Sequence, residues 1–195
     1  MPQDVNLTGD LAIDTEATGL NFTRDRLCVL QISNGDGNAH LIRFDPGNYT
    51  APNLKKLLSN SESCKIFHYA RFDVAIISKF LKVNLENVYC TKIASRIART
   101  YTDSHGLKDI CRELLDIQIS KHQQSSYWGA ESLSKEQIDY AAGDVLYLHA
   151  LRAKLNEILM REGRYELAME CIKFLPLRVK LDLSGWSEID IFAHK

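Results

Sequence analysis

Leu11-Ala12-Ile13-Asp14-Thr15-Glu16 is an apolar run that ends in two carboxylates two residues apart. Alternation along a β-strand puts residues i and i+2 on one face, so Asp14 and Glu16 lie side by side with no basic residue between them. Adjacent acids at the end of a core strand repel, and a divalent cation with hard oxygen ligands is the usual compensation. The segment therefore predicts a core strand with a charged site where it runs out.

Working outward, Leu27 to Ser33 and Ala39 to Phe44 are further strand-like runs. The breaks between the three runs hold Gly19-Leu20-Asn21 and Asn34-Gly35-Asp36-Gly37-Asn38. Short apolar runs punctuated by Gly, Asn and Asp predict an antiparallel meander whose second break is a tight hairpin. A short helix over Asn53 to Leu58 and a strand over Cys64 to His68 follow. In Arg71 to Leu81, Asp73, Ile76, Ile77 and Phe80 fall at i, i+3, i+4 and i+7, one face of an amphipathic helix with the acid at its head. A fifth strand near Asn87 to Tyr89 leads into helices over Thr91 to Arg99 and Leu107 to Leu115. This order predicts an α/β fold with a mixed central sheet flanked by helices. A polar loop from Ile119 to Ser132 precedes the capping box Ser134-Lys135-Glu136-Gln137, which starts a helix expected to run to about Arg161. A last helix containing Pro176 is expected beyond Gly163.

The 195 residues are 45% hydrophobic and 25% charged, which suits one catalytic-sized domain over residues 1–162. Residues 163–195 read as a helical extension of that domain. The net charge of −1, from 24 basic and 25 acidic residues, argues against a protein that coats long nucleic acid. No apolar run is long enough to span a membrane, and Met1-Pro2-Gln3-Asp4 does not begin a secretory signal, so a cytoplasmic location is expected. The five cysteines are odd in number, widely spaced and never in a C-x-x-C pair; core thiols are expected, with no disulfide framework or zinc site.

Asp14 and Glu16 on a strand, Asp73 heading a helix and Asp144 on a late helix are four carboxylates that only the fold can bring together. Tyr140 precedes Asp144 by one turn. Four such acids suit two divalent ions about 4 Å apart for in-line phosphoryl displacement, one activating the attacking water and one stabilising the leaving 3′ oxygen. The Tyr140 hydroxyl could aim the water.

At these residues the chain resembles the DEDD-type 3′-5′ exonucleases of the subclass with tyrosine in the third motif, in the ribonuclease D family. Asp14-Thr15-Glu16 corresponds to the first motif, His68-Tyr69-Ala70-Arg71-Phe72-Asp73 to the second and Tyr140-Ala141-Ala142-Gly143-Asp144 to the third. The resemblance covers about Leu11 to Leu155. It implies an RNase H-like fold, two Mg²⁺ or Mn²⁺ ions held by Asp14, Glu16, Asp73 and Asp144, and release of nucleoside 5′-monophosphates from a 3′ end. Only about 40 residues follow the matched region, where ribonuclease D carries further helical domains. With Ala17-Thr18-Gly19-Leu20 and Cys90-Thr91-Lys92-Ile93-Ala94, the chain looks most like the compact nanoRNase C type within the family. That likeness implies short single-stranded RNA, especially dinucleotides, as substrate, and a homo-oligomer such as a ring-shaped octamer built partly by the C-terminal segment. It also implies substrate contacts from Thr15, Thr18, Gly19, Leu20 and His68, with Leu20 wedged between bases.

Several residues have a plainer reading beside the functional one. Trp128 and Gln124 could meet a nucleotide or cover the core, His68 could be a satisfied core histidine, and Lys92, Arg96 and Arg99 read as a solvated helix face. Ribonuclease D-like trimming of structured RNA 3′ ends and DNA 3′-5′ cleavage are the alternative activities. A catalytically idle nucleic-acid-binding module is the alternative from another class, and retention of all four acids and the tyrosine weighs against it.

Overall fold

The computed structural model describes residues 7–119, 123 and 125–194. Three antiparallel strands open it: β1 (Leu11–Ala17), β2 (Leu27–Ser33) and β3 (His40–Arg43). After α1 (Pro52–Leu58), β4 (Lys65–Phe67) joins β1 in parallel. After α2 (Ala70–Leu81), β5 (Val88–Cys90) joins β4 in parallel. The sheet order is β3-β2-β1-β4-β5, so the strand that carries the two acids is central. Every residue of β2, LCVLQIS, is buried, as a near-continuous apolar strand covered on both faces should be. The β1–β2 register pairs Asp14 with Gln31 and Glu16 with Val29, then shifts between Glu16 and Ala17. That irregularity releases the chain from the sheet just past the second acid.

Helices α3 (Thr91–Ala98) and α4 (Leu107–Leu115) form where the sequence predicts them. The Ser134 capping box also forms: Gln137 N donates to Ser134 Oγ at 3.2 Å, and Ser134 N to Gln137 Oε1 at 2.9 Å. The helix it starts is not continuous to Arg161. It divides at Tyr147 into α5 (Lys135–Leu146) and α6 (Leu148–Arg161). No Pro or Gly sits at the break. The halves pack on different partners, α5 on β1, β2 and β3 and α6 on α3, α4 and β4, so tertiary packing imposes the bend. The expected last helix is likewise two, α7 (Tyr165–Lys173) and α8 (Leu175–Leu181), followed by a π-helical turn over Asp182–Trp186. Pro176 lies in the first turn of α8, where its missing N–H interrupts no bond.

Cys28, Cys64, Cys90 and Cys111 are buried and Cys171 is exposed, and all five are free. Among the described residues no helix is long and apolar enough to cross a membrane. Arg99 departs from its expected solvated face. It is fully buried, donating to Ser95 Oγ, to Ser104 O at 2.8 Å and to Glu113. Spacing along α3 could not show that Glu113, on α4, would meet it.

Candidate functional site

The carboxyl ends of β1 and β4 and the first turn of α2 open into a cleft of about 900 Å³. This is where a sheet whose central strand has an antiparallel neighbour on one side and a parallel one on the other leaves room for a ligand. One carboxylate oxygen from each of Asp14, Glu16 and Asp144 lies within 4.8 Å of the others. Asp73 stands beside this trio, close enough for its charge to push up both Asp14 and Glu16. Thr15 points to the opposite face by strand alternation, and its hydroxyl donates to Asp73 Oδ1 at 2.6 Å. The Tyr140 hydroxyl lies near enough to Asp144 to pull its carboxyl down.

The electrostatics follow from burial and crowding. Burial, then the charges of Asp73, Asp144 and Glu16, hold the Asp14 carboxyl well above its ordinary range. Burial, then Asp144 and Asp73, push Glu16 up to about 9. Burial raises Asp73 to about 7 against the pull of the Thr15 hydroxyl, and raises Asp144 to about 7 against the pull of the Tyr140 hydroxyl. Burial lifts the Tyr140 phenol as well, so it stays protonated. Four acids cannot all ionise here unless positive charge joins them. Hard oxygen donors this close fit a divalent cation, whose charge would reverse the shifts.

His68 directly follows β4 in the wall of the cleft. Thr91 Oγ1 donates to Phe67 O at 3.1 Å and lies 2.9 Å from His68 Nδ1. With the hydroxyl hydrogen committed to the carbonyl, Nδ1 must carry the proton and Nε2 is left as an acceptor. Burial, with Lys92 and His105 nearby, pushes the imidazole down to about 3, so the ring is neutral.

Thr18, Gly19 and Leu20 form the rim. Arg26 N donates to Thr18 Oγ1 at 3.0 Å, and Lys79 Nζ donates to Phe22 O at 2.9 Å and Thr23 O at 2.6 Å. A side chain at position 19 would meet the Asp25 carboxylate and force it to move. The loop so held leaves Leu20 89% exposed. Trp128 is buried, its ring 6.1 Å from that of Tyr140 and packed on Cys28, Val29 and Ala141, and it also lines the cleft, so it serves the core and the cleft wall together. Gln124 lies outside the described residues.

Some lining residues carry no signal in the sequence. Arg71 donates to Asp182 Oδ2 at 2.6 Å and to Ser187 O at 2.9 Å, which brings Ser187 and Glu188 of the C-terminal segment into the cleft wall. These contacts join residues more than a hundred positions apart, and no local pattern announces them. Lys92, read from its spacing as solvated, lines the cleft with its Nζ 4.4 Å from the centre of the Tyr69 ring.

A mixed sheet flanked by helices thus brings a cluster of acids together at the end of its central strand. Residues 2–160 match the protein family described as 3′-5′ exonuclease, and the chain belongs to that family. Its architecture is the family's RNase H-like fold. The chain is 34% identical over 161 residues to ribonuclease D of Gluconacetobacter diazotrophicus, a match that covers 80% of this chain but 39% of that protein. The structure of Brucella melitensis NrnC superposes with a TM-score of 0.97 at 56% identity, over 100% of this chain and 95% of that one. The same protein has been solved bound to pGG, with a TM-score of 0.96 at 56% identity over 100% and 95% of the two chains. Its structure with bound Mg²⁺ gives a TM-score of 0.95 at 55% identity over 100% and 96%.

Proposed function

We propose that this chain is a metal-dependent 3′-5′ exoribonuclease that hydrolyses short oligoribonucleotides, dinucleotides above all, to nucleoside 5′-monophosphates. The observation that carries this reading is the convergence of Asp14, Glu16 and Asp144, with Asp73 beside them, in a cleft whose rim presents Leu20. Its volume, about 900 Å³, is in the upper part of the range of about 300–1,000 Å³ for small-ligand clefts, which favours a substrate of a few nucleotides. Likeness to a protein solved with pGG and with Mg²⁺ supports the same substrate class and cofactor.

Asp14, Glu16, Asp73 and Asp144 would hold two Mg²⁺ or Mn²⁺ ions. Bound there, the cations supply positive charge that eases deprotonation of the attacking water and stabilises the leaving 3′ oxygen. Tyr140, kept neutral, orients the water beside Asp144. Thr15 holds Asp73 in place through its hydroxyl. Leu20 packs between bases at the rim, with Thr18 and Gly19 shaping the loop that presents it. His68 offers Nε2 as a neutral acceptor, which suits a ribose hydroxyl or a base N–H and not a phosphate.

Residues 1–162 would form the catalytic unit and residues 163–195 its extension. The exposed Leu177, Leu183, Trp186, Ile189, Ile191 and Phe192 favour use of that extension in a ring-shaped homo-oligomer, such as an octamer, acting in the cytoplasm. The test is a cleavage time course with Mn²⁺ on a 5′-labelled dinucleotide, a longer single strand and a duplex in one salt condition, with Asp144→Asn as the inactive control. Rapid loss of the dinucleotide is expected. Its accumulation would overturn the short-substrate reading and leave ribonuclease D-like trimming, which the ribonuclease D relatives favour.

A further inference from the structure

Gln31 is the one long polar side chain in β2, a strand buried along its whole length. It is completely inaccessible, and its Oε1 has no hydrogen-bond partner among the described residues. Methionine or leucine would fill such a place without leaving a polar atom unpaired, so the amide weakens the core it sits in. Its position accounts for its presence. Gln31 is the cross-strand partner of Asp14, and its Nε2 lies 3.3 Å from Asp14 Oδ2. Among the described residues it is the only side chain that donates to that carboxylate. Glu16, one step along the same face, is paired with Val29, whose side chain has no donor to offer it.

We infer that Gln31 is a positioning residue for the acidic site: its amide N–H holds the Asp14 carboxylate facing Glu16 and Asp144 against their repulsion, so the cation site is assembled in advance. This rests on the reading of those acids as cation ligands. A hydrogen bond from behind a ligand fixes its rotamer and partly offsets its charge, as partners one layer removed from a metal commonly do. Gln31 itself does not line the cleft.

The test is a thermal-shift titration of the full chain with Mn²⁺, comparing wild type with Gln31→Met, which keeps the length and removes the donor. The half-saturating Mn²⁺ concentration should rise about tenfold, while the metal-free variant unfolds at the same temperature as wild type or higher. A second variant, Gln31→Leu, also removes the donor and should raise the half-saturating Mn²⁺ concentration by a similar factor without lowering the metal-free unfolding temperature. Wild-type half-saturation in Gln31→Met overturns the inference. So does a Gln31→Met chain that fails to fold, because the amide would then serve the core. Asp14→Asn separates the two readings: if it answers Mn²⁺ as wild type does, the ligand assignment itself fails. If Asp14→Asn loses the response and Gln31→Met keeps it, only the role of Gln31 falls.

Discussion

Raising the pH of the metal-free protein should destabilise it, and a divalent cation should reverse the loss. Burial and mutual repulsion place Asp73 and Asp144 at about 7 and Glu16 at about 9, against ordinary values of 3.8 and 4.5. A carboxyl whose pKa is raised by folding binds its proton more tightly in the native chain than in the unfolded one. Its contribution is complete below the ordinary value and is lost as pH climbs through the raised one. Moving a carboxyl from 3.8 to about 7 makes it about 4 kcal/mol harder to ionise. From about pH 5 to about pH 7.5, Asp73 and Asp144 should each withdraw about 2–3 kcal/mol. Together that is about 4–6 kcal/mol, which for a 195-residue chain lowers the unfolding temperature by about 8–24 °C. The assay is scanning calorimetry in chelator-treated buffers across this range, with and without Mn²⁺. The rise in Tm that Mn²⁺ produces should grow with pH, because the cation binds ionised carboxylates. Titration calorimetry near pH 6 should detect protons released on binding. A metal-free Tm that stays flat across the range, with a Mn²⁺ shift independent of pH, would refute the reasoning.

Tyr140→Phe removes the hydroxyl that pulls Asp144 down. The kcat on a short oligonucleotide should fall about 100-fold with KM little changed, and the acidic limb of the pH–rate profile should move to higher pH. Asp182→Asn takes away the buried charge that Arg71 and Arg178 share. Urea unfolding should show a loss of about 2–3 kcal/mol, held below the full buried-pair value by the partial exposure of Arg71. KM should rise with it, because Ser187 and Glu188 lose their anchor at the cleft.

Local pattern alone determined much of the fold and the inventory of the site. The apolar runs and their Gly and Asn breaks located β2 and the meander, and the Ser134 capping box located the start of α5, because these depend on neighbours in the chain. The two acids of β1 share a face through strand alternation, and Tyr140 stands one turn before Asp144 through helical spacing. Only the tertiary structure decided the rest. The order β3-β2-β1-β4-β5 brings Asp144 from α5 to Asp14 and Glu16, with Asp73 alongside, and no local rule fixes that order. The bend at Tyr147, the burial of Arg99 and the docking of the C-terminal turn on Arg71 come from contacts between distant elements. Gln31 shows the difference most clearly. In sequence it is one polar residue in an apolar strand, and only the register of β1 against β2 puts its amide on Asp14.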